Sequence, residues 1–132
     1  MEQTALLEFE SSVFALSPGE DEETNPGIFG KSLAQWIAGQ LVDHGFAVSD
    51  LVAEDFGWCV RVKTKSPRLF VACANVEGKA NQWRVFAFAE RGALARLLGK
   101  GKSTESLASL HSAIKQSLAS SPLIQGIREV AS

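Results

Sequence analysis

Apolar and polar residues alternate along several stretches of this chain, a pattern that predicts β-strands. Leu7 and Phe9 alternate with Glu8 and Glu10 inside the first of them, a strand that we expect over residues 6–16. Further strands are expected at residues 46–52, 58–64, 69–76 and 83–88. Because short turns separate the last three, they should form an antiparallel meander.

Two other stretches carry apolar residues at the three- and four-residue spacing of an amphipathic helix. Asn25 and Pro26 fit the N-cap and first position of one helix, and Gly45 fits its end. Ser103 fits the N-cap of the other. A third, shorter helix is expected at residues 91–98. The two long apolar stripes consist of Phe29, Leu33, Trp36, Ile37 and Leu41, and of Leu107, Leu110, Ile114 and Leu118.

This order of elements predicts an α+β fold over residues 1–132, which is the length of one domain. Each long helix has a single stripe to bury, so both should pack on the same side of the sheet. We therefore expect a two-layer sandwich, in which an antiparallel sheet of four to six strands carries two main helices on one face.

Charge is distributed unevenly although the net charge is only -2. Residues 1–60 hold eleven acids and one base, whereas residues 61–102 hold ten bases and two acids. The two parts either neutralise each other in space or form separate acidic and basic faces. The loop Glu20, Asp21, Glu22 and Glu23 is either an anionic surface for a basic partner or a solvated loop favouring the next helix N-terminus.

Several functional classes lack support in the sequence. No apolar run is long enough to cross a bilayer, and the N-terminus has no signal-peptide pattern, so we expect a cytoplasmic protein without membrane contact. His44 and His111 stand far apart, which disfavours a metal site. No nucleophile motif, cofactor motif or nucleic-acid-binding motif is present. Cys59 should face Cys73 if the hairpin turn between them centres on Ser66, most simply as a structural pair.

The stretch from Glu54 to Cys59 is the most chemically unusual, because it combines two carboxylates, a glycine between aromatic residues and a thiol. Glu54 and Asp55 are either an acid/base pair or an extension of the acidic loop. Phe56 and Trp58 are candidate aromatic anchors for a partner.

Asn25-Pro26-Gly27-Ile28-Phe29-Gly30, the helix with Trp36, and Glu54-Asp55-Phe56-Gly57-Trp58-Cys59 together resemble a small bacterial α+β family with acidic loops and aromatic-Gly-Trp turns. The chain is also similar to immunity proteins of interbacterial toxin systems, including those of type VI secretion. The resemblance implies a non-enzymatic protein that occludes a cognate toxin.

The partner surface expected from these features comprises Glu20, Asp21, Glu22, Glu23, Glu54, Asp55, Phe56 and Trp58. No cofactor, metal or nucleic acid is expected, and homodimerisation stays open. The alternatives are a small ligand-binding or enzymatic domain with a pocket near Glu54–Trp58, and a secretion chaperone or adaptor.

Overall fold

A computed structural model describes residues 2–64, 68–77, 79, 81–90 and 101–131 of this chain, with backbone alone for residues 101–104. In this part the chain forms seven β-strands and two α-helices. The strands are β1 (Glu2–Gln3), β2 (Leu6–Glu10), β3 (Val48–Glu54), β4 (Gly57–Val62), β5 (Arg68–Asn75), β6 (Gln82–Glu90) and β7 (Gln125–Val130). The helices are α1 (Lys31–Asp43) and α2 (Gly101–Ser120).

All strand pairs are antiparallel, and the strands follow the order β3-β4-β5-β6-β2-β7 across one sheet. The two-residue strand β1 pairs with β6 and brings the number of strands in the described residues to seven, above the expected four to six. The predicted α+β class and the predicted meander from β4 to β6 are confirmed.

Both helices pack on the same face of this sheet, as the two apolar stripes predict. Leu33, Ile37 and Leu41 of α1 and Leu110 and Ile114 of α2 are fully or almost fully buried there. They lie in one core with the strand residues of matching parity: Leu7, Phe9, Trp58, Val60, Val62, Leu69, Val71, Cys73, Trp83, Val85, Ala87 and Ala89. Burial of these side chains is the main source of the fold's stability.

A second, smaller apolar cluster lies on the opposite face of the sheet. It contains Cys59, Phe70, Ala72 and Phe88, with Phe86 packed against it. The rings of Phe70 and Phe88 stack, with 5.1 Å between their centroids and 13° between their planes. Arg61 lies over Phe70, its guanidinium carbon 5.8 Å from the ring centroid. The far face is therefore aromatic as well as charged, since Arg84, Phe86 and Phe88 occupy alternate positions of β6.

Helix α1 begins later than predicted and ends as predicted. Its first residue is Lys31, preceded by Gly30, and not Pro26. At its other end Gly45 has a φ of 89°, and the Phe46 N–H donates to the Leu41 carbonyl at 2.9 Å. This is the left-handed termination that glycine permits without strain.

Three further expectations differ from the structure. Strand β2 stops at Glu10 and does not reach residue 16, and α2 begins at Gly101, before Ser103. Cys59 lies opposite Ala72, whereas Trp58 lies opposite Cys73, so the two thiols face opposite sides of the sheet. A shift of one residue has this effect because side chains alternate between faces with a period of two.

Two other expectations, the turn at Ser66 and the helix at residues 91–98, lie outside the described residues. Among the residues that are described, no helix is long and apolar enough to cross a membrane.

Candidate functional site

The two stretches that carry the family resemblance meet at one end of the sheet. The Asn25 side-chain amide donates to the Asp55 carbonyl at 3.0 Å. Asn75, the last residue of β5, donates from its side chain to the Gly27 carbonyl at 3.1 Å and accepts from the Phe29 N–H at 2.9 Å. The segment from residue 25 to residue 30 is thus bonded to the β3–β4 turn and to the end of β5.

Two glycines allow this close approach. A Cβ at Gly57 would lie 2.5 Å from the carbonyl oxygen of Cys73, and a Cβ at Gly30 would overlap the same oxygen. Both glycines have positive φ, 151° at Gly57 and 156° at Gly30. Both glycines therefore lie against the same carbonyl of β5, and a larger residue at either position would push its segment away from that strand.

Glu20, expected on the partner surface, is instead a buried part of the loop, since only 5% of the residue is exposed. One carboxylate oxygen accepts from the Ser17 N–H at 2.9 Å. The other accepts from the N–H groups of Gly30 and Lys31, at 3.1 and 2.9 Å. Glu20 therefore caps α1, because these are the unpaired donors at a helix N-terminus.

The other three acids of the loop differ in their contacts and in their exposure to solvent. Asp21 accepts from the Gly27 N–H at 2.9 Å, which ties the loop to the segment that carries Asn25. Glu22 and Glu23 are exposed, and neither forms an ion pair with another described residue. These two are the exposed acids of the loop.

Glu54 and Asp55 are also exposed at the β3–β4 turn, without an ion pair in the described part of the chain. The β5–β6 turn lies at the same end of the sheet and contributes Glu77, which is exposed as well. We call Glu22, Glu23, Glu54, Asp55 and Glu77 the acidic end. The bond from Asn25 to Asp55 ties the segment that follows the loop to this turn.

Phe56 stands at the tip of the β3–β4 hairpin and is 42% exposed. Its ring centroid lies 6.2 Å from that of Phe86 and 5.8 Å from that of Phe88. Beside it opens a cleft of about 210 Å³. The cleft is lined by Ile28, Phe56, Ala72, Ala74, Asn75, Glu77, Arg84 and Phe86.

Trp58, the other expected anchor, is only 4% exposed and lies on the helix side of the sheet. The Lys31 ammonium sits 5.0 Å from its ring centroid, a cation–π contact. The indole N–H has no hydrogen-bond partner among the described residues. We therefore assign Trp58 to the core and keep Phe56 as the exposed aromatic residue of this end.

The thiols are poorly suited to nucleophilic chemistry. Burial raises the pKa of Cys59 to about 12, with smaller contributions from the negative charges of Glu54 and Glu90. Burial also raises the pKa of Cys73 well above its ordinary value. Both thiols are protonated at neutral pH, and the thiolate is the reactive form. Within the described ranges no three His, Cys, Asp or Glu side chains are grouped as metal ligands.

Of the residues that line the cleft, the candidate partner surface predicted from the sequence contains only Phe56. Arg84 and Phe86 occupy alternate positions of the predicted strand at residues 83–88 and should share a sheet face, whereas Asn75 and Glu77 fall in a predicted strand and in the turn after it. Asn75 and Glu77 lie beside Phe56 because the β3–β4 and β5–β6 turns share one end of the sheet. The predicted antiparallel meander implies this arrangement, since alternate turns of a meander lie at the same end.

The fold and this site define a two-layer α+β protein in which acidic and aromatic side chains lie together at one end of the sheet. No protein-family model, curated protein or solved structure matches the chain.

Proposed function

We propose that this chain is a non-enzymatic binding protein that neutralises a cognate bacterial toxin by covering the toxin's active site. The observation that carries the proposal is the exposed ring of Phe56 at a hairpin tip, beside Glu54, Asp55 and Glu77, which form no ion pair with any described residue. A central aromatic anchor with a polar rim is the usual anatomy of a protein interface.

The charges of the acidic end support a basic target. Glu22, Glu23, Glu54, Asp55 and Glu77 are exposed carboxylates that no described base neutralises. Toxins that act on nucleotides or nucleic acids often have basic clefts, and complementary charge accelerates association and disfavours wrong partners.

The rigidity of this end also supports binding by occlusion. Asn25 and Asn75 tie the segment before α1 to the β3–β4 turn and to β5. Gly30 and Gly57 let the same elements approach the Cys73 carbonyl. A surface that is ordered before binding loses less conformational entropy on association.

We expect a toxin-domain protein to be encoded beside the gene for this chain, and co-expression of the two, with cell growth as the measurement, is the test. The wild-type chain should protect the cells, whereas Phe56→Ala and the double variant Glu54→Lys, Asp55→Lys should protect poorly while keeping the wild-type circular dichroism spectrum. Val42→Ala is the matched control, because Val42 is 57% exposed on α1, away from this end. The proposal fails if wild type gives no protection, or if the site variants protect as well as wild type.

A further inference from the structure

Two residues of opposite charge line the cleft beside Phe56, and of these only the basic one has an ion pair within the described residues. Arg84 and Glu77 are the charged residues in its lining. The guanidinium of Arg84 donates from two nitrogens to one oxygen of Glu8, at 3.1 and 3.0 Å. The other Glu8 oxygen accepts from Arg128 at 3.1 Å, so that carboxylate binds both arginines. Glu77 forms no ion pair with any described residue.

The walls of the cleft are apolar and aromatic. Ile28, Ala72 and Ala74 form aliphatic surface, and the rings of Phe56 and Phe86 lie at 30° to each other. The volume of about 210 Å³ has room for one long side chain and not for an extended cofactor.

We propose that the cleft accepts a single lysine or arginine side chain from the partner protein, an inference that rests on the proposed function and names the chemistry of its contact. The aliphatic part of that side chain lies along Ala72 and Ala74. Its charged group lies against the faces of the two phenylalanine rings and forms an ion pair with Glu77.

Other occupants fit the cleft less well. A purely apolar side chain would cover Glu77 without supplying a counter-charge, and a carboxylate deprived of water and of a partner is costly. An acidic side chain would be repelled by Glu77, and the Arg84 guanidinium that could attract it already donates from two nitrogens to Glu8. A basic side chain is the occupant that satisfies the rings and the carboxylate together.

Three capped tripeptides test this inference directly on the free protein: acetyl-Gly-Arg-Gly-amide, its citrulline counterpart and its norleucine counterpart. Citrulline keeps the shape of arginine without its charge, and norleucine keeps only the aliphatic chain. NMR titration should show shifts at Phe56, Ala72 and Ala74 with the arginine peptide, and at least fivefold weaker binding of the other two. Glu77→Gln should abolish the preference, whereas Glu105→Gln, an exposed carboxylate on α2, should leave it unchanged.

Equal binding of the norleucine peptide would show an apolar site, and shifts elsewhere or none at all would overturn the inference. Because the peptides need no toxin, this result is independent of the growth test. If the chain protects cells from the toxin but does not bind the arginine peptide, the proposed function stands and the contact lies outside the cleft. Arginine binding without protection would retain the site and overturn the proposed function.

Discussion

The side-chain amide of Asn25 donates a hydrogen bond to the backbone carbonyl of Asp55, with 3.0 Å between nitrogen and oxygen. The two residues are thirty positions apart, one before α1 and the other in the β3–β4 turn. Through this bond the segment that follows the acidic loop holds the backbone of the turn that presents Phe56. The bond thus links the two stretches whose residues we propose to form the partner surface.

Replacing Asn25 with alanine should weaken this link without unfolding the protein. We expect the free energy of unfolding to fall by about 1 kcal/mol, the usual net contribution of one hydrogen bond. Urea denaturation measures the change. Gln35→Ala is the matched control, because that side chain is exposed on α1 and its loss should change stability by less than ~0.5 kcal/mol. Equal losses in the two variants would contradict the proposed link.

A methyl group at Gly57 should be severely destabilising. The added Cβ would lie 2.5 Å from the Cys73 carbonyl oxygen, and the φ of 151° is one that side chains rarely adopt. We expect Gly57→Ala to lower the free energy of unfolding by about 3 kcal/mol or more. Gly39→Ala is the opposite case, since nothing lies within 4 Å of its Cβ and α1 should gain roughly 0.5–1 kcal/mol. Thermal denaturation measures both variants, and midpoints that shift in the same direction would contradict this account.

Neutralising Glu20 should cost stability, whereas neutralising its neighbour should not. Glu20→Gln removes the negative charge that accepts from the first N–H groups of α1, and we expect a loss of about 1–2 kcal/mol. Glu22→Gln should be neutral within about 0.5 kcal/mol, because Glu22 is exposed. Guanidinium denaturation of the two variants compares a capping carboxylate with a solvent-exposed one from the same loop.

Stability should fall as the pH rises above the ordinary cysteine pKa of 9.0. The folded protein keeps the Cys59 proton up to a pKa of about 12, whereas the unfolded chain releases it near 9.0. The unfolded state therefore binds fewer protons in this interval, and rising pH favours unfolding, by at most about 1.4 kcal/mol per pH unit for one thiol. Cys73 acts in the same direction.

The matched variant for the pH prediction is the double substitution Cys59→Ala, Cys73→Ala. It should be less stable than wild type at neutral pH because it leaves cavities, but its stability should depend less steeply on pH between 9 and 12 than that of wild type. Denaturant midpoints measured across this interval give both slopes. Identical slopes would show that groups other than the two thiols cause the loss of stability at alkaline pH.

Local patterns predicted the layers of this fold well. Trp83, Val85 and Ala87 alternate with Arg84 and Phe86, and the structure buries the first set under the helices. The stripes of the two helices lie against that set, as their spacing requires. Such features could be predicted because each depends on residues adjacent in sequence.

Features set by distant residues could not be predicted in the same way. Nothing in the sequence separates Glu20 from Glu22 and Glu23, and only the folded loop shows that Glu20 reaches the start of α1. This contact also explains the late start of α1. Glu20 accepts from the Lys31 N–H at the start of the helix, whereas Asn25, the predicted N-cap, donates to Asp55.

The same limit applies to the two cysteines. Whether Cys59 faces Cys73 or Ala72 depends on a single residue in the turn, which strand periodicity does not determine.

The opposed, buried positions of Cys59 and Cys73 have a practical consequence for spectroscopy. They point to opposite faces of the sheet, so they cannot form a disulfide with each other, and their protonated thiols should react slowly with maleimides. The variant Lys79→Cys would then supply the reactive thiol at an exposed position of the β5–β6 turn, and a fluorophore attached there would report on partner docking while Phe56 stays in place.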